Sequence, residues 1–382
     1  MWYSEDGRTI IGPLSKTPHR KFCPKGGEFP VGSRLLGLKA GGPYRVFMKA
    51  IVLREFGGPE KLRYEEVPDP TPGPGEVLIR LKTAALNRRD YFITRNQYPG
   101  IKLPTILGSD GAGEVAALGE GVDGFQIGQE VIINPSLNWG DNPRVSGPDF
   151  TILGSPKDGT YAEMIVVPAE NVFPKPAYLT WEEAAAIPLA GLTAYRALVT
   201  RGRLREGEVV VIPGIGGGVA TFLLLIASAL GARVFVTSGS DEKIRRAMEL
   251  GAAGGVNYNS ENWVKELQKA TGGGADLCVD SVGGDIFPQL VRLTKPGGRI
   301  VTFGATRGPV PQLVMPFIFL KQLDILGSTM GNDEEFGQML NLFEKHRIRP
   351  VLDKSYPLEE AAEALNRMKD GRQFGKIVLR IS

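Results

Sequence analysis

Hydrophobic residues in the first half of the chain follow the pattern of short β-strands. From Met48 to about residue 175, runs rich in Val and Ile are separated by turns rich in Gly and Pro. The runs with this pattern are Lys49–Glu55, Glu76–Leu81, Gly113–Ala117 and Glu130–Ile133. Many short strands with turns of this composition predict an all-β domain of the barrel or sandwich type.

The pattern changes near Leu179, where helical stretches begin to alternate with strands. Thr180 and Glu183 have the spacing of a capping box, which predicts the start of an Ala-rich helix. Predicted strands and helices then follow at Val209–Ile212, Arg233–Thr237, Glu242–Leu250, Asp276–Val279, Arg299–Phe303, Glu334–Glu344, Leu358–Lys369 and Lys376–Ile381. The alternation predicts βαβ units and a parallel sheet. The uninterrupted apolar run at residues 209–212 indicates a sheet that is covered on both faces.

The first 47 residues show no lasting hydrophobic period. They hold eight Lys or Arg and three Asp or Glu. We interpret them as a disordered tail, or as the product of a start codon assigned upstream of a natural start at Met48. A basic targeting segment is the alternative, and the acidic residues Glu5, Asp6 and Glu28 weaken it.

Composition narrows the classes of function. The 382 residues include 45 Lys or Arg and 42 Asp or Glu, so the formal charge is only +3. This balance argues against a nucleic-acid-binding protein and against a polybasic membrane protein. The longest apolar run, Val219 to Leu230, has twelve residues. A bilayer span needs about twenty, so no transmembrane helix is predicted.

Metal-ligand residues are scarce. The only cysteines are Cys23 and Cys278, and the only histidines are His19 and His346. A structural zinc site needs about four Cys or His ligands and a catalytic site about three protein ligands, so we expect no metal. The low cysteine content excludes a disulfide scaffold and is compatible with a reducing, cytoplasmic location.

A glycine cluster follows the strand at residues 209–212 and precedes an apolar helix. Its residues are Gly214, Gly216, Gly217 and Gly218, followed by Val219. Such a turn lets backbone N–H groups approach a pyrophosphate, and the helix N-terminus adds a partial positive charge. The strand before it, the helix after it and a second strand at the expected distance predict a dinucleotide site. A Gly-rich βα turn in another α/β fold is the alternative.

The end of the next strand distinguishes NAD from NADP. An NAD site places an acid there to bind the ribose 2′-hydroxyl, and no acid occurs from Ala232 to Ser240. Ser238 and Ser240 offer hydroxyl groups instead, and Lys243 adds a cation that suits a 2′-phosphate. NADP(H) is therefore the predicted cofactor, with Asp241 as a rival ligand for the ribose and Lys243 as a possible solvated helix charge.

Several ordered motifs resemble the medium-chain dehydrogenase/reductases, and among them the zinc-independent branch similar to quinone oxidoreductases. The resemblance covers Met48 to Ser382. Its motifs are Leu86–Asp90, Pro104–Gly113, Ile187–Leu198, the glycine turn, Asn257–Tyr258, Gly297–Val301 and Gly375–Val378. Their order and spacing together are far more specific than any one motif.

The resemblance implies a fold of two parts with the active site between them. One is a GroES-like all-β catalytic domain, and the other is an α/β Rossmann domain with a doubly wound parallel sheet. We expect an extension at residues 1–47, the catalytic domain at 48–175, the NADP-binding Rossmann domain at 176–330, and a return to the catalytic domain at 331–382. Leu323–Gly327 resembles the strand at which family members form dimers, so a homodimer or homotetramer is expected.

The resemblance also assigns roles to residues. It implies that Asn87 and Thr193 lie beside the nicotinamide and substrate. Ser238, Lys243 and Tyr258 match the surroundings of the 2′-phosphate, and Phe303, Gly304 and Lys376 join the cofactor-binding residues. Phe92 stands where many members carry a tyrosine, so Tyr91 or Tyr98 would have to supply a hydroxyl. Tyr258 as a packed aromatic and Thr193 as a helix cap are the structural alternatives.

Zinc-dependent members differ at recognisable positions. They carry a Cys in the segment matched by Leu86–Asp90 and a His-Glu pair where this chain has Ser109 and Asp110. They also carry a lobe with four cysteines, whereas residues 136–154 here contain none. The resemblance therefore agrees with the composition in predicting no metal.

Together these features predict an enzyme that transfers hydride from NADPH to a small-molecule electron acceptor. Quinones, enones and aldehydes are the expected acceptors. A site without zinc favours acceptors whose reduced oxyanion is already stable, such as quinones, over simple ketones. An NADPH-binding regulatory or structural protein with vestigial catalysis is the alternative. A zinc alcohol dehydrogenase ranks below both, because its ligands are missing.

Overall fold

A computed structural model of the protein describes residues 47–381. The interpretation of the N-terminal extension lies outside these residues, apart from Phe47. The strands are β1 (Phe47–Leu53), β2 (Leu62–Pro68), β3 (Glu76–Ala85), β4 (Thr105–Ile106), β5 (Asp110–Leu118), β6 (Glu130–Ile133), β7 (Ser136–Leu137), β8 (Thr151–Ile152), β9 (Met164–Pro168), β10 (Val172–Pro174), β11 (Val209–Ile212), β12 (Arg233–Ser238), β13 (Gly254–Asn257), β14 (Ala275–Asp280), β15 (Thr294–Thr302), β16 (Asp324–Gly327), β17 (Leu352–Pro357) and β18 (Lys376–Arg380).

Ten α-helices are interspersed with these strands in the described part of the chain. They are α1 (Arg88–Thr94), α2 (Trp181–Ala186), α3 (Pro188–Tyr195), α4 (Gly218–Ala229), α5 (Asp241–Glu249), α6 (Trp263–Thr271), α7 (Ile286–Leu293), α8 (Met315–Lys321), α9 (Asp333–His346) and α10 (Ala361–Lys369). A π-helical segment, Arg196–Arg201, continues α3. Short 3-10 turns occupy Pro59–Lys61, Ala169–Asn171 and Leu358–Glu360.

The first body of the molecule is built on a mostly antiparallel sheet. Its strand order is β10-β6-β5-β3-β18-β17, and β9 also pairs with β3. A three-stranded sheet of order β2-β1-β4 accompanies it. The C-terminal strand β18 runs antiparallel to β3, with Leu379 opposite Ala84. The last described strand thus lies inside this sheet, between β3 from the first third of the chain and the edge strand β17.

The second body contains a six-stranded sheet of order β13-β12-β11-β14-β15-β16. All five pairings in it are parallel. Because β12 and β14 lie on opposite sides of β11, the direction of winding reverses there, and ligands bind at such a point in α/β folds. The predicted combination of a GroES-like all-β domain with a doubly wound Rossmann domain is confirmed.

The apolar run of β11 explains how this sheet is covered. Val210 and Ile212 contribute to one core cluster together with residues of α3 and α4. Val209 and Val211 contribute to another, with residues of α6 and α7. Successive side chains of a strand point to opposite faces, so a strand buried on both faces must be apolar at every position.

Strand boundaries differ from the predictions where a strand pairs with another that is distant in sequence. The predicted strand ending at Leu81 continues to Ala85, because residues 83–85 pair with β18. The strand predicted from Arg299 begins at Thr294, which pairs with Ala275 across a register shift. The Ala-rich helix begins as predicted, since Glu183 N donates to Thr180 Oγ1 over 3.2 Å. Within residues 47–381, no helix combines the length and the apolar character needed to cross a bilayer.

Candidate active site between the two sheets

The glycine turn connects β11 to α4 at the point where the winding reverses. Gly214 and Gly216 have φ angles of 69° and 125°, which L-residues with a Cβ rarely adopt. Gly217 is the N-cap of α4 and has no side chain that could cap the helix. The N–H groups of the first turn therefore have no intrahelical acceptor and no capping side chain, as an anion site at a helix N-terminus requires.

Two lysine side chains lie against the turn. A Cβ atom at Gly216 would be 3.0 Å from Cδ of Lys243, and one at Gly218 would be 2.6 Å from Cδ of Lys376. A Cβ at Gly217 would meet nothing within 4 Å. The absence of side chains thus leaves an open cradle over Gly217, bounded by the aliphatic stems of the two lysines, and the backbone N–H groups at this helix start fit the diphosphate of a dinucleotide.

Lys376 also connects the turn to a buried polar network. Its Nζ donates to the carbonyl of Leu86 over 2.8 Å, to Oδ1 of Asn87 over 2.9 Å and to Oδ2 of Asp110 over 2.8 Å. Asn87 Nδ2 donates to the same carboxylate oxygen over 2.9 Å. Lys376 is 2% exposed and Asp110 is fully buried. All three ammonium hydrogens are therefore engaged within the protein.

The network continues into helix α3. The other carboxylate oxygen of Asp110, Oδ1, accepts from the backbone N–H of Leu189 over 2.7 Å, at the start of the helix. One turn further, Thr193 Oγ1 donates to the carbonyl of Leu189 over 2.8 Å and lies 3.9 Å from Sδ of Met330. Thr193 lies inside α3, not at its end, so it is not a helix cap. Its oxygen remains able to accept a hydrogen bond.

A second buried carboxyl group, that of Asp90, holds the backbone of Asn87. Asp90 Oδ2 accepts from the backbone N–H of Asn87 over 2.8 Å and from the hydroxyl of Tyr161 over 2.7 Å. Burial raises the pKa of Asp90, and the neighbouring guanidinium of Arg89 opposes that rise. Burial, with the charge of Asp90, also raises the pKa of Tyr161 well above its ordinary value. Tyr161 therefore remains a donor and holds the start of α1 in place.

Arg89 occupies the place next to Ser109. Its Nη1 donates to Oγ of Ser109 over 2.7 Å and to the carbonyl of Leu153 over 2.6 Å. The guanidinium lies 4.8 Å from the ring centroid of Tyr98. Among residues 47–381, no group of three or more His, Cys, Asp or Glu is placed to hold a metal ion.

The residues predicted around a 2′-phosphate lie at the end of β12, beside the glycine turn. Ser238 Oγ accepts from the N–H of Ser240 over 3.2 Å, and Ser240 Oγ accepts from the N–H of Lys243 over 3.4 Å. Both hydroxyl groups act as acceptors toward the backbone, so their own hydrogens stay available for an anion. The hydroxyl of Tyr258 lies over Gly239, 2.9 Å from the position a Cβ would take there.

Lys243 has a more constrained position than a solvated helix charge. Its Nζ donates to the carbonyl of Gly371 over 2.6 Å. Burial lowers the pKa of Lys243, Asp353 opposes this, and the nearby guanidinium groups of Arg246, Arg367 and Arg88 lower it further. The rival ribose ligand, Asp241, is exposed and accepts from Nδ2 of Asn257 over 2.8 Å.

Three predicted site residues are not joined to these groups by a hydrogen bond within the described chain. Tyr91 is half-buried on α1, and its ring tilts against Phe92 at 6.0 Å. Phe303 donates its N–H to the carbonyl of Asp280 over 3.1 Å at the end of β15. Gly304 lies beside the backbone of Ser281, where a Cβ would come within 3.2 Å of the carbonyl oxygen.

Sequence reasoning missed Arg88, and it treated Asp110 only as the position of a missing zinc ligand. Arg88 is half-buried beside the cleft, and burial lowers its pKa, with nearby Tyr91 opposing the effect. No hydrogen bond or ion pair joins its guanidinium to another described residue, so it is a further cation available to a ligand. The pairing of Asp110 with Lys376 joins distant parts of the chain, so no local motif signals it.

Comparison with known proteins identifies the family of this chain. Residues 73–177 match the family model described as alcohol dehydrogenase GroES-like domain, and residues 218–345 match the one described as zinc-binding dehydrogenase. The chain belongs to the medium-chain dehydrogenase/reductase superfamily, whose members are oxidoreductases that bind nicotinamide cofactors.

Particular relatives span almost the whole described chain. The zinc-type alcohol dehydrogenase-like protein YogA of Leptosphaeria maculans is 38% identical over 84% of this chain and 94% of its own length. A quinone oxidoreductase of Pseudomonas aeruginosa is 32% identical over 87% of this chain and 99% of its own. A crystal structure of an NAD-dependent alcohol dehydrogenase superposes with a TM-score of 0.84 and 43% identity, covering 88% of this chain and all of that one.

Proposed function

We propose that this protein is a zinc-independent, NADPH-dependent reductase of the quinone oxidoreductase-like type. The observation that supports a pyridine dinucleotide most directly is the uncapped N-terminus of α4 between the side chains of Lys243 and Lys376. Residues 214, 216–219, 303 and 304 would surround this cofactor. When bound, NADPH would supply the hydride that, with a proton from water, reduces a quinone, enone or aldehyde.

The chain's own contribution is to hold a hydrogen-bond donor rigidly at the acceptor. Asn87 uses one Nδ2 hydrogen on Asp110 and accepts from Lys376, so its amide cannot rotate without breaking both bonds. The second Nδ2 hydrogen has no partner among the described residues and would donate to the oxygen on which negative charge develops. The ammonium of Lys376 on the amide oxygen polarises the amide and strengthens this donor. Tyr91, on the helix α1 that follows Asn87, is the hydroxyl group we propose as a second donor.

The donor set supports chemistry without zinc. Asp110 stands where zinc-dependent members carry an acid, but its Oδ2 already faces the Lys376 ammonium at 2.8 Å. Ser109, at the position of the usual histidine, is hydrogen-bonded to a guanidinium. A divalent cation beside these two fixed cations would be repelled. Purified protein is expected to contain less than stoichiometric zinc by elemental mass spectrometry.

The preference for NADPH over NADH rests on the end of β12. Ser238 and Ser240 retain free hydroxyl hydrogens there, and Lys243 places a cation one turn into α5. A 2′-phosphate would accept from all three groups, whereas β12 ends without the carboxylate that binds a ribose 2′-hydroxyl in an NAD site.

The test is steady-state oxidation of NADPH and of NADH with 1,4-benzoquinone, an enone and an aldehyde. K243M is expected to raise the KM for NADPH by about 10- to 100-fold, because a hydrogen bond to a charged group contributes about 1.5–3 kcal/mol. The KM for NADH should stay unchanged. K265M, which removes an exposed lysine elsewhere on the second body, is the matched control. Tight NADPH binding by calorimetry without turnover on any acceptor would instead assign a regulatory or structural role.

We also propose that the protein forms a homo-oligomer through α8 and the edge strand β16. Helix α8 has no buried residue, and Met315, Phe319 and Leu320 are 57%, 61% and 72% exposed. An apolar helix beside an unpaired strand edge is a surface that a second copy would cover.

A further inference from the structure

A cavity of about 370 Å³ lies beside the proposed acceptor site, between the loop of residues 137–150 and the end of β16. Its nine lining residues include three arginines, Arg144, Arg196 and Arg201, and no carboxylate. Trp139 forms part of its apolar wall. The cavity is open to solvent, because Arg144 and Val145 are exposed, so the arginine side chains on it can be reached by a ligand.

One of the three arginines is neutralised and serves the structure. Arg196 Nη1 lies 2.6 Å from Oε2 of Glu335, and both side chains are buried. The same guanidinium donates to the carbonyls of Pro143 and Arg144 over 2.9–3.1 Å and stacks on Trp139 at 4.8 Å. Arg196 therefore fixes the loop that forms one wall of the cavity.

The other two arginines keep uncompensated charge. Arg201 donates only its Nε, to the carbonyl of Gly327 over 2.8 Å, so its terminal nitrogens have no partner in the described chain. The guanidinium of Arg144 has neither a hydrogen bond nor an ion pair with a described residue. Ser328 adds a buried Oγ that has no hydrogen-bond partner in the described structure. Two free guanidinium groups and a free hydroxyl on one cavity form a set of donors without an acceptor.

The position of the cavity relates it to the reaction. Arg196 follows Thr193 by three residues, which is about 5 Å along a helix. Thr329, which lines the cavity, precedes Met330, whose Sδ lies 3.9 Å from Thr193 Oγ1. A molecule reduced beside Asn87 and Thr193 could therefore extend into the cavity.

We infer that this cavity binds an anionic group, a carboxylate or a phosphate, carried by the electron acceptor a few bonds from its reducible carbon. The inference rests on the proposed reductase function. It narrows the substrate class to quinones, enones or aldehydes that carry an anionic group. The free guanidinium groups supply paired N–H donors that match the oxygens of either anion, and Ser328 supplies a third donor. The volume is large enough for the anion together with part of its carbon chain.

The experiment compares pairs of acceptors that share one reducible group, with an anionic and a neutral member in each pair. The enone 4-oxopent-2-enoate is set against its methyl ester, and (3-oxobut-1-enyl)phosphonate, which stands in for a phosphate, against its dimethyl ester. Each reduction adds a hydride to the β-carbon and a proton from solvent to the α-carbon, so the two members of a pair undergo the same chemistry. We expect the anionic member of one pair to have a KM about 10-fold or more below that of its neutral partner. The pair that responds identifies carboxylate or phosphate as the source of the anion.

Variants assign the effect to the cavity. R201M and R144M are each expected to raise the KM of the anionic acceptor about 10-fold or more, with kcat and the KM of the neutral partner little changed. R205M removes an exposed arginine outside the cavity and should change neither. Equal KM values within both pairs, or an anion preference that survives R201M and R144M, would overturn the inference.

A binding measurement separates this inference from the proposed function. Calorimetric titration of the NADP⁺-loaded protein with 4-oxopentanoate and with its methyl ester needs no turnover. Stronger binding of the anion, lost in R201M, supports the cavity assignment even if no acceptor is reduced. Reduction of neutral acceptors together with no difference in binding refutes the anion site and leaves the reductase function standing.

Discussion

Lys376 shows how much of the site depends on single residues. Its ammonium is buried and donates to Leu86, Asn87 and Asp110, while its aliphatic stem packs over Gly218 at the start of α4. One side chain therefore neutralises a buried acid, orients the proposed donor and shapes the dinucleotide cradle. Buried charges of this kind are costly unless every partner is present.

Replacing Lys376 should be strongly destabilising. K376M leaves the Asp110 carboxylate buried without its cation, and removing one partner of a buried pair costs about 3–5 kcal/mol of the free energy of unfolding. Urea denaturation at pH 7 measures this loss. The double variant D110N/K376M should lose less than the sum of the two single variants, because it leaves no unpaired charge. A K376M protein as stable as the parent would show that the network is unimportant for folding.

Asp280 should make stability depend on pH. Burial raises the pKa of its carboxyl group to about 6, although the N–H groups of Val282 and Gly283 donate to it. A pKa above the unfolded value of 3.8 means that stability present at low pH is lost as the pH rises through about 6. From pH 4 to pH 7, the parent should lose about 2 kcal/mol relative to D280N in urea denaturation. D123N, at an exposed aspartate, should follow the parent at both pH values.

At the scale of elements, the turn between β11 and α4 needs glycines because lysine side chains occupy the space that their Cβ atoms would take. Gly216 and Gly218 admit the stems of Lys243 and Lys376, and the carbonyl of Gly216 accepts from the N–H of Gly375 over 2.9 Å. The cofactor cradle is thus built jointly by a βα turn and by the segment that leads into the last strand.

Two neighbouring substitutions in this turn should have different effects. In G218A, the new Cβ lies 2.6 Å from Cδ of Lys376, whose ammonium is fixed by three hydrogen bonds and cannot move away. Overpacking of this kind costs about 1–3 kcal/mol. Gly217 has an ordinary φ of −80° and open space around it, so G217A should cost less than about 1 kcal/mol. Thermal denaturation of the two variants without cofactor gives the comparison, and equal losses would contradict it.

At the scale of the whole molecule, contacts between distant segments hold the two bodies around the cleft. Strand β18 completes the first sheet and presents Lys376 to the second body, while Arg196 and Glu335 fix the loop at residues 137–150. Helix α8, next to β16, carries a group of exposed apolar side chains, among them Met315, Phe319 and Leu320.

Charges placed on α8 should disrupt assembly. The double variant F319E/L320E introduces two carboxylates into a face that a second copy would bury, so it should run as a monomer in size-exclusion chromatography with light scattering. I127E, at a residue that is 65% exposed elsewhere, is the matched control and should keep the parental mass. A parent protein that is itself monomeric at micromolar concentration would refute the proposed oligomer.

Much of the second body follows from local pattern. The capping box at Thr180, the strand at residues 209–212 and the glycine turn are each set by short-range rules, and each lies where the sequence predicts. The extensions of β3 and β15 could not be predicted in this way, because their outer residues are held by β18 and β14, which are remote in sequence.

The sequence by itself determined the two-part fold and the cofactor turn, because hydrophobic period, capping and glycine conformation act within a few residues of each other. Only the tertiary structure decided the electrostatics of the cleft. It brought Lys376 to Asp110 and Asn87, and it left Arg144 and Arg201 without counter-charges beside one cavity. Charge interactions depend on the distance between the charges in space and on their burial. Neither quantity can be obtained from short-range sequence patterns.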